Sequence, residues 1–248
     1  MSYCALALTV LAQLPAHVAA TSVVMRGSAD WLIVSNTGVV EARFTDIDGQ
    51  VPTSMALLAD RSRVAFTAHR ENKLDGLFIK TLGGGVTELS ISNGYHAWVA
   101  ASPTGDSLVF AHHPGEQSGP IGAHAAMQNA QLWRLRLDGG TPEQLTVTPG
   151  CKAGPAFVSE NLIAFGHNSC RGTQGMESLA LGPNRIQRVI TPQEDHFDEQ
   201  PRVSTDGRFV AFARKHFGAH QIWVARWPSL AEQHLAGELD APQPFVSF

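Results

Sequence analysis

Histidine is the residue type in this 248-residue chain that could most readily carry chemistry, because the sequence contains 11 of them. Several follow a recurring phenylalanine by two to four residues: His69, His112, His113, His167 and His216. Imidazole is a common ligand of transition metals, and ligands from separate loops can share one ion without forming a local motif. The pattern therefore predicts that His69, His113, His167 and His216, in some subset, bind a divalent Zn²⁺, Mn²⁺ or Fe²⁺ ion. The alternatives are that these histidines are solvated or cap strand ends, that they sense pH, or that they hydrogen-bond a ligand.

An enzyme built on such an ion would also need an acid or a base beside it. The symmetry of the hairpin centred between Thr104 and Gly105 predicts that His96 lies opposite His113. The candidates for the acid or base role are His96, His196, Glu116 and Arg214. A hydrolytic triad is not indicated, because the sequence contains no nucleophile-elbow motif.

Two of the three cysteines, Cys151 and Cys170, lie equally far from the turn between Glu160 and Asn161. Antiparallel neighbours approach within about 4.5 to 5.5 Å, which suits the geometry of a disulfide bridge. We therefore expect the two cysteines to face each other and to form a bridge, which would indicate an oxidising compartment. The alternatives are two free thiols in adjacent loops and shared ligation of a metal ion.

The N-terminal segment resembles a secretion leader. An apolar run over residues 4–14 is too short for a transmembrane helix, and it is followed by Pro15 and by small residues up to Ala20. This pattern predicts a leader over residues 1–20 that is cleaved on export, although the usual Lys or Arg near the start is absent. The alternative is that residues 4–10 form a buried strand. With no other stretch long enough to span a bilayer, we expect a soluble protein that is periplasmic or secreted.

The residues discussed so far belong to a sequence repeat. A turn followed by an apolar strand that ends in phenylalanine recurs four times. These phenylalanines are 44 to 55 residues apart: Phe66, Phe110, Phe165 and Phe212. A second marker, a short strand with a large apolar centre, recurs five times at a similar spacing: Leu32, Phe78, Trp133, Leu179 and Trp223. A unit of four short strands and about 40 to 50 residues is typical of a propeller blade. The sequence therefore predicts one all-β, five-bladed β-propeller over residues 21–248.

The two ends of the sequence complement each other in this interpretation. Residues 243–247 match the innermost strand of a blade, whereas the first unit supplies strands near residues 22–26, 30–35 and 38–44 and no innermost strand. Pairing the C-terminal strand with this N-terminal blade would close the ring and remove an exposed sheet edge, which otherwise invites aggregation. The predicted closure needs nothing from residues 1–20.

The repeat unit resembles that of a known family. Residues 201–212, with the acidic turn over residues 194–198 before them and Gln221-Ile222-Trp223 after them, look like the repeat of TolB-type β-propellers. The inner hairpin of that family reads roughly Pro-x-Trp-Ser-Pro-Asp-Gly-x-x-Ile-Ala-Phe, and this chain has Val203 in place of the Trp. The resemblance covers about residues 50–248 and implies a TolB-like fold. It does not select a function, because similar repeats serve protein docking, peptidase lids and some metal-dependent sugar lyases.

Charge and loop length narrow the choice of function. The net charge of −4 and the lack of a basic cluster argue against nucleic acid or an anionic membrane surface as the partner. A long insertion between Pro114 and Asn129 lies on the same side as the histidines, where it could serve as a lid, as a docking element or as a tolerated mobile loop. The favoured function is a binding module for a protein or glycan ligand, with a possible divalent metal. The alternative is a metal-dependent, lyase-type enzyme.

Overall fold

The protein is described by a computed structural model. The described residues are 22–26, 30–35, 39–70, 73–89, 91, 94–114, 129–168, 174–183, 185, 187–190, 197–204, 206–216, 219–231, 234–239 and 246–247.

The described residues form twenty strands, all of which pair in antiparallel fashion. Four sheets are each built from four consecutive strands, and the remaining sheet joins the first three strands with the last. We call that remaining sheet the first sheet. Its strands are β20 (Val246–Ser247), β1 (Ser22–Arg26), β2 (Trp31–Ser35) and β3 (Val40–Phe44). The second sheet consists of β4 (Pro52–Leu57), β5 (Arg63–Arg70), β6 (Lys73–Thr81) and β7 (Val86–Glu88). The third consists of β8 (Gly94–Ala101), β9 (Ser107–Pro114), β10 (Gln131–Arg136) and β11 (Glu143–Gln144). The fourth consists of β12 (Cys151–Ser159), β13 (Leu162–Asn168), β14 (Gln174–Ala180) and β15 (Gln187–Val189). The fifth consists of β16 (Phe197–Val203), β17 (Phe209–His216), β18 (Ala219–Arg226) and β19 (His234–Leu239).

The sheets are arranged as the blades of a propeller. Strand β4 packs against β1 of the first sheet, β8 packs against β4, β12 against β8, and β16 against β12. We call β4, β8, β12 and β16 the inner strands, because they bring one edge of each successive sheet toward a common axis. In the first sheet, β20 lies beside β1, with Val24 opposite Ser247 and Met25 opposite Val246. The all-β propeller arrangement predicted from the repeat is confirmed.

The repeated phenylalanines form the packing between blades. Phe66, Phe110 and Phe165 are completely buried, and Phe212 is only 2% exposed. Each lies near the middle of the second strand of its sheet, where it contacts apolar residues of the same blade and of its neighbours. Full burial of a phenylalanine side chain stabilises the folded protein by about 1.5–3 kcal/mol. Because all four phenylalanines are buried at the same place in their sheets, the 44–55-residue spacing reflects one core position repeated in four blades.

The inner strands carry β-bulges that the sequence did not reveal. Two residues of β8 oppose one residue of β9 between Ala97 and Ala100, and β12 and β16 contain bulges at the equivalent place. The first residue of each bulge has a left-handed backbone conformation: Trp98 with φ 53°, Gly154 with φ 54° and Gln200 with φ 53°. A bulge shifts the register of every pair beyond it.

These register shifts correct two sequence predictions. His96 lies opposite His112, and His113 instead faces Tyr95. Cys151 lies opposite Asn168 rather than Cys170, because β12 shifts its register twice on the way from the turn. The hairpin symmetry used for both predictions holds only where the strands pair without a bulge.

Candidate functional site

The end of the blades where the inner strands begin is the side on which the sequence placed the histidines; we call it the loop end. In each of the four blades with a repeated phenylalanine, the residue two positions after it pairs with a residue of the inner strand, and in three of these blades both residues are polar or charged. These register pairs, which we call the loop-end pairs, are His96–His112, Lys152–His167 and Asp198–Arg214. All three combine polar or charged groups at equivalent positions, which makes the loop end the candidate functional site.

The His96–His112 pair is a buried stack. The ring centroids are 4.5 Å apart, and the residues are 3% and 0% exposed. His96 Nδ1 lies 2.8 Å from the carbonyl oxygen of Asp75, and His112 Nδ1 lies 3.1 Å from that of Tyr95. Burial, together with a smaller effect of the neighbouring His96 ring, lowers the pKa of His112 to about 4. His112 is therefore neutral at physiological pH.

The second pair, Lys152–His167, belongs to a network with Glu177. The ammonium group of Lys152 donates to the carbonyl oxygens of residues 148, 149 and 150 at 3.2, 3.1 and 3.1 Å. Burial lowers the pKa of Lys152, whereas the charge of Glu177 opposes that shift. The three ammonium protons thus have three backbone acceptors, so the side chain fastens the turn before β12.

His167 is oriented by a carboxylate. Its Nδ1 lies 2.7 Å from Glu177 Oε1, and Gln187 Nε2 donates to the other oxygen of Glu177. In the neutral tautomer that donates from Nδ1 to Glu177, Nε2 is an acceptor. His167 Nε2 is buried and has no hydrogen-bond partner among the described residues. A carboxylate that orients a histidine is a common arrangement around metal-ligating and catalytic histidines.

The third pair, Asp198–Arg214, is a bidentate ion pair. Arg214 Nε and Nη2 donate to Asp198 Oδ1 and Oδ2 at 2.7 and 2.9 Å. The guanidinium group also lies over the rings of Phe212 and Trp223, at 5.3 and 4.9 Å from their centroids. Asp198 is 1% exposed and Arg214 is 13% exposed. The pair is therefore enclosed in the interior of the last blade.

The predicted metal ligands are only partly described. His113 lies three residues after Phe110, whereas His167 lies two residues after Phe165, and successive side chains of a strand point to opposite faces. The side chains of His69 and His216 lie outside the described part of the chain. Within that part, no group of three or more His, Cys, Asp or Glu side chains is arranged to hold a metal ion. The four-histidine site stays a prediction.

The predicted acid or base residues are also only partly described. His96 and Arg214 belong to the internal contacts above, whereas Glu116 and His196 lie outside the described residues. Three further predicted features also lie outside the described residues: Cys170, residues 115–128 of the insertion and the leader over residues 1–20. The disulfide bridge and the leader stay predictions. No helix in the described ranges is long and apolar enough to cross a membrane.

Sequence reasoning missed Lys152, Glu177 and Asp198. Each is buried, and each gains its role from a partner on another strand or in a turn. Lys152 and Glu177 stand in no motif, and Asp198 was noted only as part of the acidic turn over residues 194–198, so a signal for their roles was available only from the register. The exact pairing of the repeats would have revealed them, because Lys152 and Asp198 occupy the position of His96 in their own blades.

Comparisons with solved structures identify the class of fold. A protein described as TolB from Agrobacterium tumefaciens matches with a TM-score of 0.68 and 14% identity, over 88% of this chain and 77% of that one. A chain of a nidogen–laminin complex matches with a TM-score of 0.60 and 10% identity, over 91% and 97%. An oligogalacturonate lyase from Vibrio parahaemolyticus matches with a TM-score of 0.54 and 13% identity, over 85% of this chain and 59% of that one.

Other matched proteins are longer than the region they share with this chain. A TolB from Acinetobacter baumannii is covered over 65% of its length, just under two thirds, and a prolyl endopeptidase over 30%. Comparison of the sequence with family models and with characterised proteins finds no match. The fold is a β-propeller, and within that class it is a TolB-like β-propeller. At identities of 10% to 16%, these likenesses show the fold alone.

Proposed function

We propose that this protein is a binding module that holds a protein partner at the loop end of its propeller. The observation that carries the proposal is that all three loop-end pairs make internal contacts. Lys152 fastens a turn, Arg214 is paired with Asp198, and His96 is stacked on His112. Groups held in this way strengthen the blades.

Exposed apolar side chains at the same end support a protein ligand. Val51 lies directly before β4 and is 62% exposed, and Val147 lies between β11 and β12 and is 81% exposed. Apolar groups at the centre of an interface are the usual source of binding energy between proteins. The nidogen–laminin match is a propeller-sized chain from a complex of two proteins, which fits this function.

The five sheets are, in this proposal, the five blades of one ring that is closed by the C-terminal strand. The pairing of β20 with β1 supports closure, because it completes the first sheet with a strand from the other end of the chain. We propose in addition that the protein is exported to the periplasm or secreted. The leader-like residues 1–20 and the resemblance to TolB-type repeats support that location.

A second candidate function is a metal-dependent, lyase-type enzyme. The observation that favours it is the His167–Glu177 pair, in which the oriented His167 has an Nε2 without a hydrogen-bond partner among the described residues. The ammonium group of Lys152 opposes this function, because its register position opposite His167 places a positive charge near any cation bound there.

Site-specific photo-crosslinking in the native host tests the proposed function. A photoreactive amino acid at Val51 or Val147 is expected to crosslink the same partner protein, because both positions are exposed at the loop end. Arg61 and Asn161 are the matched controls, since they lie in exposed turns at the opposite end of the blades. Equal crosslinking from both ends, or none from the loop end, would contradict the proposal.

A further inference from the structure

Tyr95 and Trp98 form a contacting aromatic pair on β8, the inner strand of the third sheet. Their ring centroids are 6.4 Å apart, and the ring planes are inclined at 76° to each other. Both side chains are partly exposed. Because Tyr95 is the second residue of β8, the pair lies toward the loop end of the third blade. The pair therefore presents two apolar surfaces that are nearly at right angles.

The polar atoms of this aromatic pair make no hydrogen bond within the described part of the chain. Tyr95 Oη and Trp98 Nε1 both lack a partner there, yet both atoms keep some exposed surface. In contrast, Trp31 Nε1 donates to the carbonyl oxygen of Pro52 at 3.0 Å, and Trp133 Nε1 is buried. A phenol and an indole in a partly apolar surface usually donate to an acceptor. Two donors are thus available beside the two rings.

The backbone at Trp98 is strained, because this residue has a left-handed φ of 53°. Glycine occupies the equivalent bulge position of the fourth sheet, where this conformation has no steric cost. A bulky residue with a positive φ is an outlier, and strain of this kind concentrates at ligand sites. Trp98 also packs against the core shared by the first two sheets and against the core shared by the third and fourth. The strained backbone thus holds an indole with an available N–H between these two cores.

The electrostatic surroundings of Tyr95 favour a neutral ligand. Burial, together with smaller effects of Asp75 and Cys151, raises the pKa of Tyr95 above its ordinary value. The phenol therefore stays protonated at physiological pH and can donate a hydrogen bond. Because the charge of Asp75 acts on this phenol, it would also repel a carboxylate or a phosphate bound there. A cation is a poor ligand as well, because it cannot accept a hydrogen bond from the indole of Trp98.

We propose that Tyr95 and Trp98 bind a proline-rich segment of the protein partner, whose backbone carbonyl oxygens accept from Tyr95 Oη and Trp98 Nε1. This inference rests on the proposed function, which it deepens by naming the class of ligand. A polyproline II segment has no internal hydrogen bonds, so its carbonyl oxygens are available, and its proline rings can pack on aromatic side chains. Its restricted backbone also reduces the entropy that is lost on binding. A glycan is disfavoured, because a sugar ring stacks on one flat surface and these two rings are nearly perpendicular.

Short ligands test the site with the full-length protein. The probe is N-acetyl-hexaproline amide, and the comparison ligands are N-acetyl-hexaalanine amide and maltohexaose. Binding is followed by NMR through the indole N–H resonances, among which the peak lost in Trp98→Phe identifies Trp98. Hexaproline is expected to shift this peak saturably and to bind Tyr95→Phe about fivefold more weakly, because a typical hydrogen bond is worth about that factor. Hexaalanine and maltohexaose are expected to bind the wild type about tenfold more weakly than hexaproline does.

Two variants separate a binding role from a structural one. Tyr95→Phe keeps the ring and removes only the hydroxyl group, so it tests the donor even if Trp98→Phe does not fold. Trp133→Phe removes an indole of the same sheet whose Nε1 is buried, and it is expected to leave binding of hexaproline unchanged. Equal affinity of the wild type and Tyr95→Phe, no saturable shift with hexaproline, or tighter binding of maltohexaose would overturn the site.

Competition links the site to the partner. Crosslinking from Val147 in an extract of the native host is expected to decrease when hexaproline is present at a saturating concentration. An unchanged yield would overturn the assignment of a proline-rich segment of the partner to this aromatic pair, and it would leave the proposed function intact. If no crosslink formed even without the peptide, the proposed function would fail, while the titration would still report on the site itself.

Discussion

Acidification from pH 6.5 to pH 4 is expected to lower the free energy of unfolding by about 2 kcal/mol through His112 alone. The pKa of this residue falls from 6.5 to about 4 in the folded protein, because burial disfavours the charged ring. Over that pH range the unfolded chain binds a proton that the folded chain does not, so stability rises with pH and is lost on acidification. The stacked His96 and the nearby His113 both oppose protonation of His112.

Chemical denaturation of the wild type and of His112→Phe at several pH values measures this effect. Between pH 6.5 and pH 4, the free energy of unfolding of the variant should fall less steeply than that of the wild type, because His112 no longer contributes. This holds even if the stability of the variant differs at neutral pH. His113→Gln is the control, since it changes a neighbouring histidine and should keep most of the slope. The carboxyl groups of Asp60, Asp106 and Asp206 have lowered pKa values, so they titrate below this range. An identical slope in the wild type and in His112→Phe would contradict the prediction.

Deletion of residues 243–248 is expected to destabilise the protein by about 3 kcal/mol. The deletion removes β20, which pairs with β1 at Val24 and Met25. Val24 is only 2% exposed, and exposure of a buried valine costs about 1.5–3 kcal/mol. Each lost backbone hydrogen bond adds about 1 kcal/mol. The free edge of β1 should also promote aggregation, because unpaired strand edges recruit other chains.

Thermal unfolding and light scattering measure this second effect. Deletion of residues 1–20 is the matched control, since the proposed closure needs nothing from that segment. The C-terminal deletion should lower the unfolding midpoint and increase scattering, and the N-terminal deletion should change neither. Equal midpoints for the C-terminal deletion and the full chain would show that β20 does not close the ring.

The fold was predictable from the sequence because its core repeats. A buried phenylalanine at a nearly constant spacing needs the same surroundings each time, so Phe66, Phe110, Phe165 and Phe212 report one blade position. The register within each hairpin was not predictable. It depends on bulges at Trp98 and Gln200, whose left-handed conformations are ones that their residue types do not favour.

The candidate site was predictable only by residue type. Counting from the phenylalanine placed His112, His113 and His167 in one window of two to four residues. It chose His113 and His167 as metal ligands, although these two stand one position apart and therefore point to opposite faces of their sheets. The partners of these residues, such as Glu177 for His167, come from other strands. Only the pairing of strands shows that the charged groups are held by internal contacts.

The central claim is that the loop end serves binding of a protein and that its polar pairs stabilise the blades. Elemental analysis of the full chain, purified from its native host without a histidine tag, tests this claim most directly against the metal-dependent alternative. The proposed function needs no metal, so it predicts, against the four-histidine site expected from the sequence, a content of Zn, Mn and Fe far below one ion per chain, with no difference between the wild type and His167→Ala. One equivalent of a single metal that is lost in His167→Ala would contradict it.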